Sequence, residues 1–261
     1  GGDTYTGPAP QTIALSWDKP RVKRVLERAG VATPRWRLCS TPEDVSGWDR
    51  FPAIVKPAYE HCSVGVTRLA VACSADELTE RVGFVLGDLR QPALVEEFID
   101  GREFHVGLWG DRVLHVLPAA EMDFSAFAEV RDRLCTFDSK FSPGSPAYEL
   151  TRVSVPANLS PGQLADLERA VVGAFRAVGC RDYARMDVRL DGDTFHVVDV
   201  NPNPDISSDT SIAAAAAAAG MPHGDLASRI VMLAARRHPV FRAVARSART
   251  ARTLAPADDA V

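Results

Sequence analysis

The stretch from Tyr183 to Asn201 carries the residues best suited to chemistry. Two strand-like runs flank Asp191-Gly192-Asp193, a turn sequence in which the glycine supplies backbone freedom. Side chains alternate along a strand, so Ala184, Met186, Val188 and Leu190 share one face and Arg185, Asp187 and Arg189 the other. On the second run the same period groups His196, Val198 and Val200 on one face and Val197, Asp199 and Asn201 on the other. Folded about Gly192, the apolar sets coincide, and Arg185, Asp187, Asp199 and Asn201 converge opposite them. Two carboxylates and an amide oxygen beside an arginine form a hard-oxygen site. Mg²⁺ uses such ligands, commonly with substrate phosphates completing its shell. The plainer reading is an exposed strand face with incidental charge pairing. Against it, Asp and Asn are poor strand formers, and Pro202-Asn203-Pro204-Asp205 ends the run at Asn201.

Groups able to handle phosphate recur elsewhere as Lys19, Lys56 and Lys140. Lys56 closes an apolar run just before Pro57; it either snorkels to water or reaches a phosphate. The polar loop Glu60-His61-Cys62-Ser63-Val64-Gly65-Val66 can cover phosphate oxygens with backbone N–H groups. Leu94-Val95-Glu96-Glu97-Phe98-Ile99 places paired acids on an apolar strand, where they are costly unless donors meet them. Amine and ribose hydroxyl donors of a nucleotide would do so.

These residues need a mixed scaffold. Pro52–Pro57 and Val66–Ala72 read as strands, Ser74-Ala75-Asp76-Glu77 opens a helix to about Leu89, and Ala93–Ile99, Glu103–Trp109 and Val113–Leu117 read as three more strands. Ser160-Pro161-Gly162-Gln163 starts a helix whose apolar stripe is Leu164, Leu167, Val171 and Phe175, with Gly179 as its stop. Residues 119–148 show weak periodicity and read as a long loop, a plausible lid. Ala213–Ala219 before Gly220 reads as a tightly packed helix, and Arg242, Arg246, Arg249 and Arg252 as a solvated face. The mixture of many strands with helices argues an α+β class. The 261 residues suffice for one large domain or two joined ones, and the net charge of −4 excludes a nucleic-acid footprint. Five cysteines without a CxxC pair argue against a disulfide framework or a zinc knuckle. No apolar run approaches a membrane span, and the expected compartment is cytoplasmic.

Taken together and in order, Asp18-Lys19, Ile54-Val55-Lys56-Pro57, Ser63-Val64-Gly65-Val66, Leu94 to Ile99 with Gly101-Arg102-Glu103, Asp138-Ser139-Lys140-Phe141, Arg185-Met186-Asp187 and Asp199-Val200-Asn201 resemble an ATP-grasp enzyme of the D-alanine–D-alanine ligase type. The resemblance runs from Tyr5 to about Met221. It implies an ATP-grasp fold, two α+β subdomains clamping ATP: a connector at 1–18, a central subdomain at 19–98, a catalytic subdomain at 99–240 and a tail at 241–261. It implies that Lys19, Lys56 and Lys140 contact ATP phosphates, that Ser63 covers them, and that Glu96, Glu97 and Ile99 hold the adenine edge, the last two through backbone. Glu103 would bind ribose, Asp187, Asp199 and Asn201 would ligate two Mg²⁺ (or Mn²⁺) ions, and Arg185, with Ser63 and Lys140, would serve catalysis. The partners implied are small amino-acid-like substrates and, by analogy, a second copy in a homodimer.

The departures cluster on the substrate side. Only residues 1–18 precede Lys19, where the family usually carries a further α/β domain, so that domain is expected to be missing or supplied by another polypeptide. His61-Cys62-Ser63 replaces the usual Gly-Ser-Ser, Phe141 replaces a tyrosine, and Asp205 replaces a glycine, with Ser207, Ser208 and Thr210 left to bind a carboxylate. The expected activity is an ATP-dependent carboxylate–amine ligase working through an acyl phosphate, a tailoring ligase of small-molecule biosynthesis. A genuine D-alanine–D-alanine ligase of peptidoglycan synthesis and a non-catalytic nucleotide-binding fragment are the alternatives. A P-loop or dinucleotide-binding reading is disfavoured, since neither GxxxxGK[ST] nor GxGxxG occurs.

Overall fold

A computed structural model describes residues 4–60, 63–136, 138–139 and 142–241. His61, Cys62, Lys140, Phe141 and the four tail arginines lie outside the described residues. The helices are α1 (Pro10–Trp17), α2 (Lys19–Arg28), α3 (Ala75–Gly87), α4 (Pro146–Leu150), α5 (Pro161–Val178), α6 (Ser211–Ala218) and α7 (His223–Ala235). The strands are β1 (Trp36–Cys39), β2 (Ala53–Pro57), β3 (Val71–Ala72), β4 (Ala93–Glu97), β5 (Glu103–Gly110), β6 (Leu114–Val116), β7 (Ala120–Asp123), β8 (Arg152–Ser154), β9 (Asp182–Asp191) and β10 (Thr194–Asn201).

They form two antiparallel sheets, ordered β1-β4-β2-β3 and β10-β9-β5-β7-β8, with β6 paired to β5. Antiparallel sheets with helices packed against them fit the expected α+β class. On the small sheet, α3 buries Leu78, Val82 and Val85 against Val55 and Val95. On the large sheet, α5 buries Leu167, Val171, Ala174 and Phe175 against Phe104, Met186 and Val188. Each such side chain removed from water contributes about 1.5–3 kcal/mol. The start of α5 is the expected capping box between Ser160 and Gln163, and Gly179 ends it with φ +78°. Alanines of α6 pack close to β5 because Gly107 has no side chain; a Cβ there would lie 3.1 Å from Leu117 and 3.2 Å from Ile212.

Three expectations are corrected. Val66–Ala72 is not one strand: Arg68–Ala70 is a 3₁₀ turn closed by Ala70 N–H to Thr67 C=O, and only Val71 and Ala72 pair with β2. The 119–148 segment contains β7, whose Ala120 and Met122 are buried between β5 and β8. Its alternation, Ala120-Glu121-Met122-Asp123, is only four residues long and so gives little signal. The helix α2, which follows the start of the expected central subdomain at Lys19, packs on the large sheet. Its Val22 and Leu26 lie in the large-sheet core, because its apolar stripe meets α5. Third, the second hairpin strand does not keep a simple period. Its register shifts between Val197 and Asp199, so Phe195, Val197 and Val200 enter the core while Val198 turns toward the cleft. The bulge is held from outside: Val197 N–H donates to Ala32 C=O at 2.8 Å, and Thr33 Oγ1 donates to Val197 C=O at 2.8 Å.

Candidate active site

The hairpin β9–β10 presents its polar face to the space between the two sheets. Register places Asp199 opposite Asp187 and Asn201 opposite Arg185, the convergence expected from alternation. The first of two clefts lies between the sheets and is lined by Lys19, Lys56, Glu60, Ser63, Glu96 to Ile99, Glu103, Asp187 and Asp199. The second is lined by Ile13, Trp17, Tyr183, Arg185, Asn201 and Pro202 to Ile206. Ser63 and Asp199 line both, so the clefts meet there.

Local structure aims each group. Asp18 caps α2 by accepting from Arg21 N–H at 2.9 Å, and Lys19 N–H donates to Ala58 C=O at 3.1 Å. Lys19 therefore starts its helix beside the end of β2, where its ammonium donates to Glu60 C=O. Burial chiefly lowers its pKa below the ordinary lysine value. Lys56 sits at the end of β2 and pairs with Glu96 Oε2 at 2.8 Å. Lys23 pairs with Glu96 Oε1 at 3.0 Å and donates to Thr33 Oγ1 at 2.7 Å. Burial would raise the Glu96 pKa, but the two ammonium groups outweigh it and bring it to about 2. The donors that meet Glu96 within the chain are thus two lysines. Lys23 then ties Glu96, through Thr33, to the β10 bulge.

Glu103 is buried and takes Arg189 Nε on Oε2 at 2.7 Å, with His105 Nε2 3.4 Å from Oε1. Burial opposes its ionisation, yet Arg189 and His105 hold its pKa below the carboxylate range. Arg189 also donates to Ile99 C=O at 2.6 Å, so the carbonyl expected at an adenine edge already accepts one hydrogen bond. Glu97 N–H donates to Arg35 C=O at 2.9 Å, which engages the other backbone group expected there. Arg185 grips Asp187 in a two-pronged pair at 2.7 and 3.0 Å. Burial works against the Arg185 charge, but Asp187 outweighs it and its pKa is raised.

Ser63 has φ +59°, a strained conformation for a residue with a side chain, and its Oγ donates to Cys135 C=O at 3.2 Å. Asp205 reaches the second cleft and accepts from Ser207 Oγ at 2.6 Å and Ser207 N–H at 2.8 Å; these hydrogen bonds lower its pKa. Ser207, Ser208 and Thr210 are not brought to that wall. Ser207 is turned onto Asp205, and Thr210 caps α6 by accepting from Ala213 N–H. Sequence reasoning missed Lys23, His105, Arg189, Cys135, Trp17 and Tyr183. Three of them carried a signal: Lys23 lies one helical turn after Lys19, Arg189 shares the alternating face of Asp187, and His105 lies two residues after Glu103 on one strand.

Asp187, Asp199 and Asn201 supply three hard oxygens on one face, a donor set that fits Mg²⁺. Among the described residues no helix is long and apolar enough to cross a membrane. A family model described as D-ala D-ala ligase C-terminus matches residues 25–232. An uncharacterized protein of Sinorhizobium fredii is 35% identical over 240 residues, 91% of this chain and 68% of its own length. A D-alanine–D-alanine ligase of Marinobacter nauticus is 32% identical over 235 residues, 88% of this chain and 66% of its own length. The structure of D-alanine–D-alanine ligase from Bacillus anthracis complexed with ATP superposes with a TM-score of 0.71 at 23% identity, covering 89% of this chain and 70% of that one. VanG D-Ala:D-Ser ligase from Enterococcus faecalis gives 0.70 at 20% identity, covering 88% and 64%.

Proposed function

This chain belongs to the D-alanine–D-alanine ligase family of ATP-grasp enzymes, and on that premise we propose that it joins a carboxylate to an amine at the expense of ATP. The observation that carries the reading is the meeting of two clefts at Ser63 and Asp199. A nucleotide in the first cleft would direct its terminal phosphate to the junction, where a carboxylate held in the second can attack it. ADP leaves, and an acyl phosphate remains. An amine then attacks the acyl carbon, and phosphate departs as the amide forms.

Phosphoryl transfer of this kind depends on positioning and charge neutralisation, not on a nucleophilic side chain. Lys19 and Lys56 carry the positive charge of the first cleft, and Lys140 is assigned the same role by resemblance. Glu97, Ile99 and Glu103 line the part of the cleft assigned to adenine and ribose. Asp187, Asp199 and Asn201 would hold Mg²⁺, which supplies charge neutralisation at the phosphates when bound. Arg185 lines the second cleft beside the junction, where a fixed cation can stabilise the oxyanion formed by amine attack. The two sheets serve as the two lobes of the clamp.

The substrates are proposed to be other than two D-alanines. An ionised Asp205 on the second cleft repels an amino-acid carboxylate and favours a cationic or donor-rich group. His61 and Cys62, replacing smaller residues, fall on the same side by resemblance. A tailoring ligase for amino-acid-like substrates follows. The test is ATP- and Mg²⁺-dependent phosphate release with a panel of amino-acid pairs. Release with one specific pair establishes the ligase and names its substrates. Release with D-alanine alone overturns the tailoring reading, and none with any pair, despite ATP binding, favours a nucleotide-binding fragment.

A further inference from the structure

Glu103 and Cys135, which line the first cleft, form with His105 a cluster that the ligase chemistry does not use as a unit. Glu103 and His105 are two residues apart on β5 and so point to the same face. Cys135 reaches them from the segment after β7. Their ligand atoms all lie within 4.8 Å of one another, and Glu103 and His105 are buried. Within the cluster, His105 Nε2 lies 3.4 Å from Glu103 Oε1 and 3.8 Å from Cys135 Sγ.

Those lengths can be compared with the edges of a zinc tetrahedron. Bonds of ~2.05 Å to nitrogen, ~2.1 Å to oxygen and ~2.3 Å to sulfur give N–O and N–S edges of about 3.4 and 3.6 Å. The observed separations match the first and exceed the second by a few tenths of an ångström. Glu103 Oε1 faces the cluster while Oε2 is held by Arg189, so the carboxylate is oriented before any ion arrives. Asp187 Oδ2, 3.8 Å from His105 Nε2, stays on Arg185, which donates to it at 3.0 Å, and water completes the fourth position.

We propose that Glu103, His105 and Cys135 form a site for one borderline-soft divalent cation of the Zn²⁺ class. Imidazole and thiolate select such an ion over Mg²⁺, which prefers oxygen alone. Coordination needs the thiolate, so the Cys135 proton leaves to solvent as the metal binds. Because Glu103 also serves the proposed nucleotide reading, occupation of this site excludes that use of it. The metal site itself does not rest on that reading.

The test titrates the reduced full chain with Zn²⁺ against a chromophoric chelator, and with Co²⁺ by absorption. One zinc per chain is expected, undisturbed by excess Mg²⁺. Co²⁺ should give intense visible bands of four-coordinate geometry and a near-ultraviolet thiolate band. The double variant His105→Ala/Cys135→Ser should lose at least about 10-fold in affinity, and the single variant Cys135→Ser the thiolate band. Zinc should also protect Cys135 from alkylation in the unmutated chain, which reads the site without any variant. Sub-stoichiometric binding, a pale six-coordinate cobalt spectrum, or unprotected Cys135 would overturn the proposal. Failure of the ligase reading shows instead as no phosphate release with any amino-acid pair, which these readouts do not involve.

Discussion

Replacing Glu96 with glutamine removes the charge that two buried ammonium groups share. Glu96 is 1% exposed and holds Lys23 at 3.0 Å and Lys56 at 2.8 Å. Its pKa falls from 4.5 to about 2, a favourable balance of about 3 kcal/mol at roughly 1.4 kcal/mol per unit. The folded value is depressed, so this stabilisation is complete above pH 4.5 and disappears as pH falls through about 2. At pH 7 the variant also strands the Lys23 ammonium, 4% exposed, without its carboxylate. Glu96→Gln should therefore cost about 3–5 kcal/mol at pH 7. Urea unfolding of both proteins at a series of pH values from 7 to 2.5 measures the difference directly. Other carboxylates, Glu103 included, titrate in both proteins and cancel in that difference. The gap should shrink steadily below pH 4.5. A gap that stays constant with pH, or one below about 1 kcal/mol at pH 7, would refute the account of Glu96 as an ionised hub.

Arg185→Met should lower kcat by about 10²–10³ while leaving nucleotide affinity within a few-fold, because the guanidinium acts on the oxyanion and not on ATP; nucleotide displacement alongside steady-state rates checks the split, and an equal fall in affinity would contradict it. Asp205→Gly should move the preference among second substrates toward those with a free carboxylate, read as the ratio of kcat/KM values across the panel; an unchanged ratio would remove Asp205 from the specificity argument. Arg237 holds the fully buried Asp182 at 2.5 and 2.6 Å, while Asp182 accepts from Gly7 N–H at 2.9 Å. Arg237→Met should destabilise by about 3 kcal/mol and free the residues around Tyr5 to proteolysis, with the double variant Asp182→Asn/Arg237→Met recovering part of the loss; urea midpoints and limited proteolysis report both.

The sequence by itself determined what depends on short spacings. Period two on β9 separated Met186 and Val188 from Arg185 and Asp187, and the capping box at Ser160 with Gly179 bounded α5, because alternation and capping act over a few residues. The grouping of Arg185, Asp187, Asp199 and Asn201 was legible for the same reason, since a short turn joins the two strands that carry them. Tertiary structure alone decided which partners those groups meet. Arg189 reaches Glu103 across 86 residues of sequence, and Ser63 reaches Cys135 across 72. No local pattern encodes such contacts. The β10 bulge belongs with them: Val197 and Val198 are equally apolar, and only the bonds from Ala32 and Thr33 choose which enters the core. Strand β7 was hidden because its two buried residues become a hydrophobic face only when β5 and β8 stand beside them. Local chemistry assembled the polar face, and long-range packing turned it toward the meeting point of two clefts.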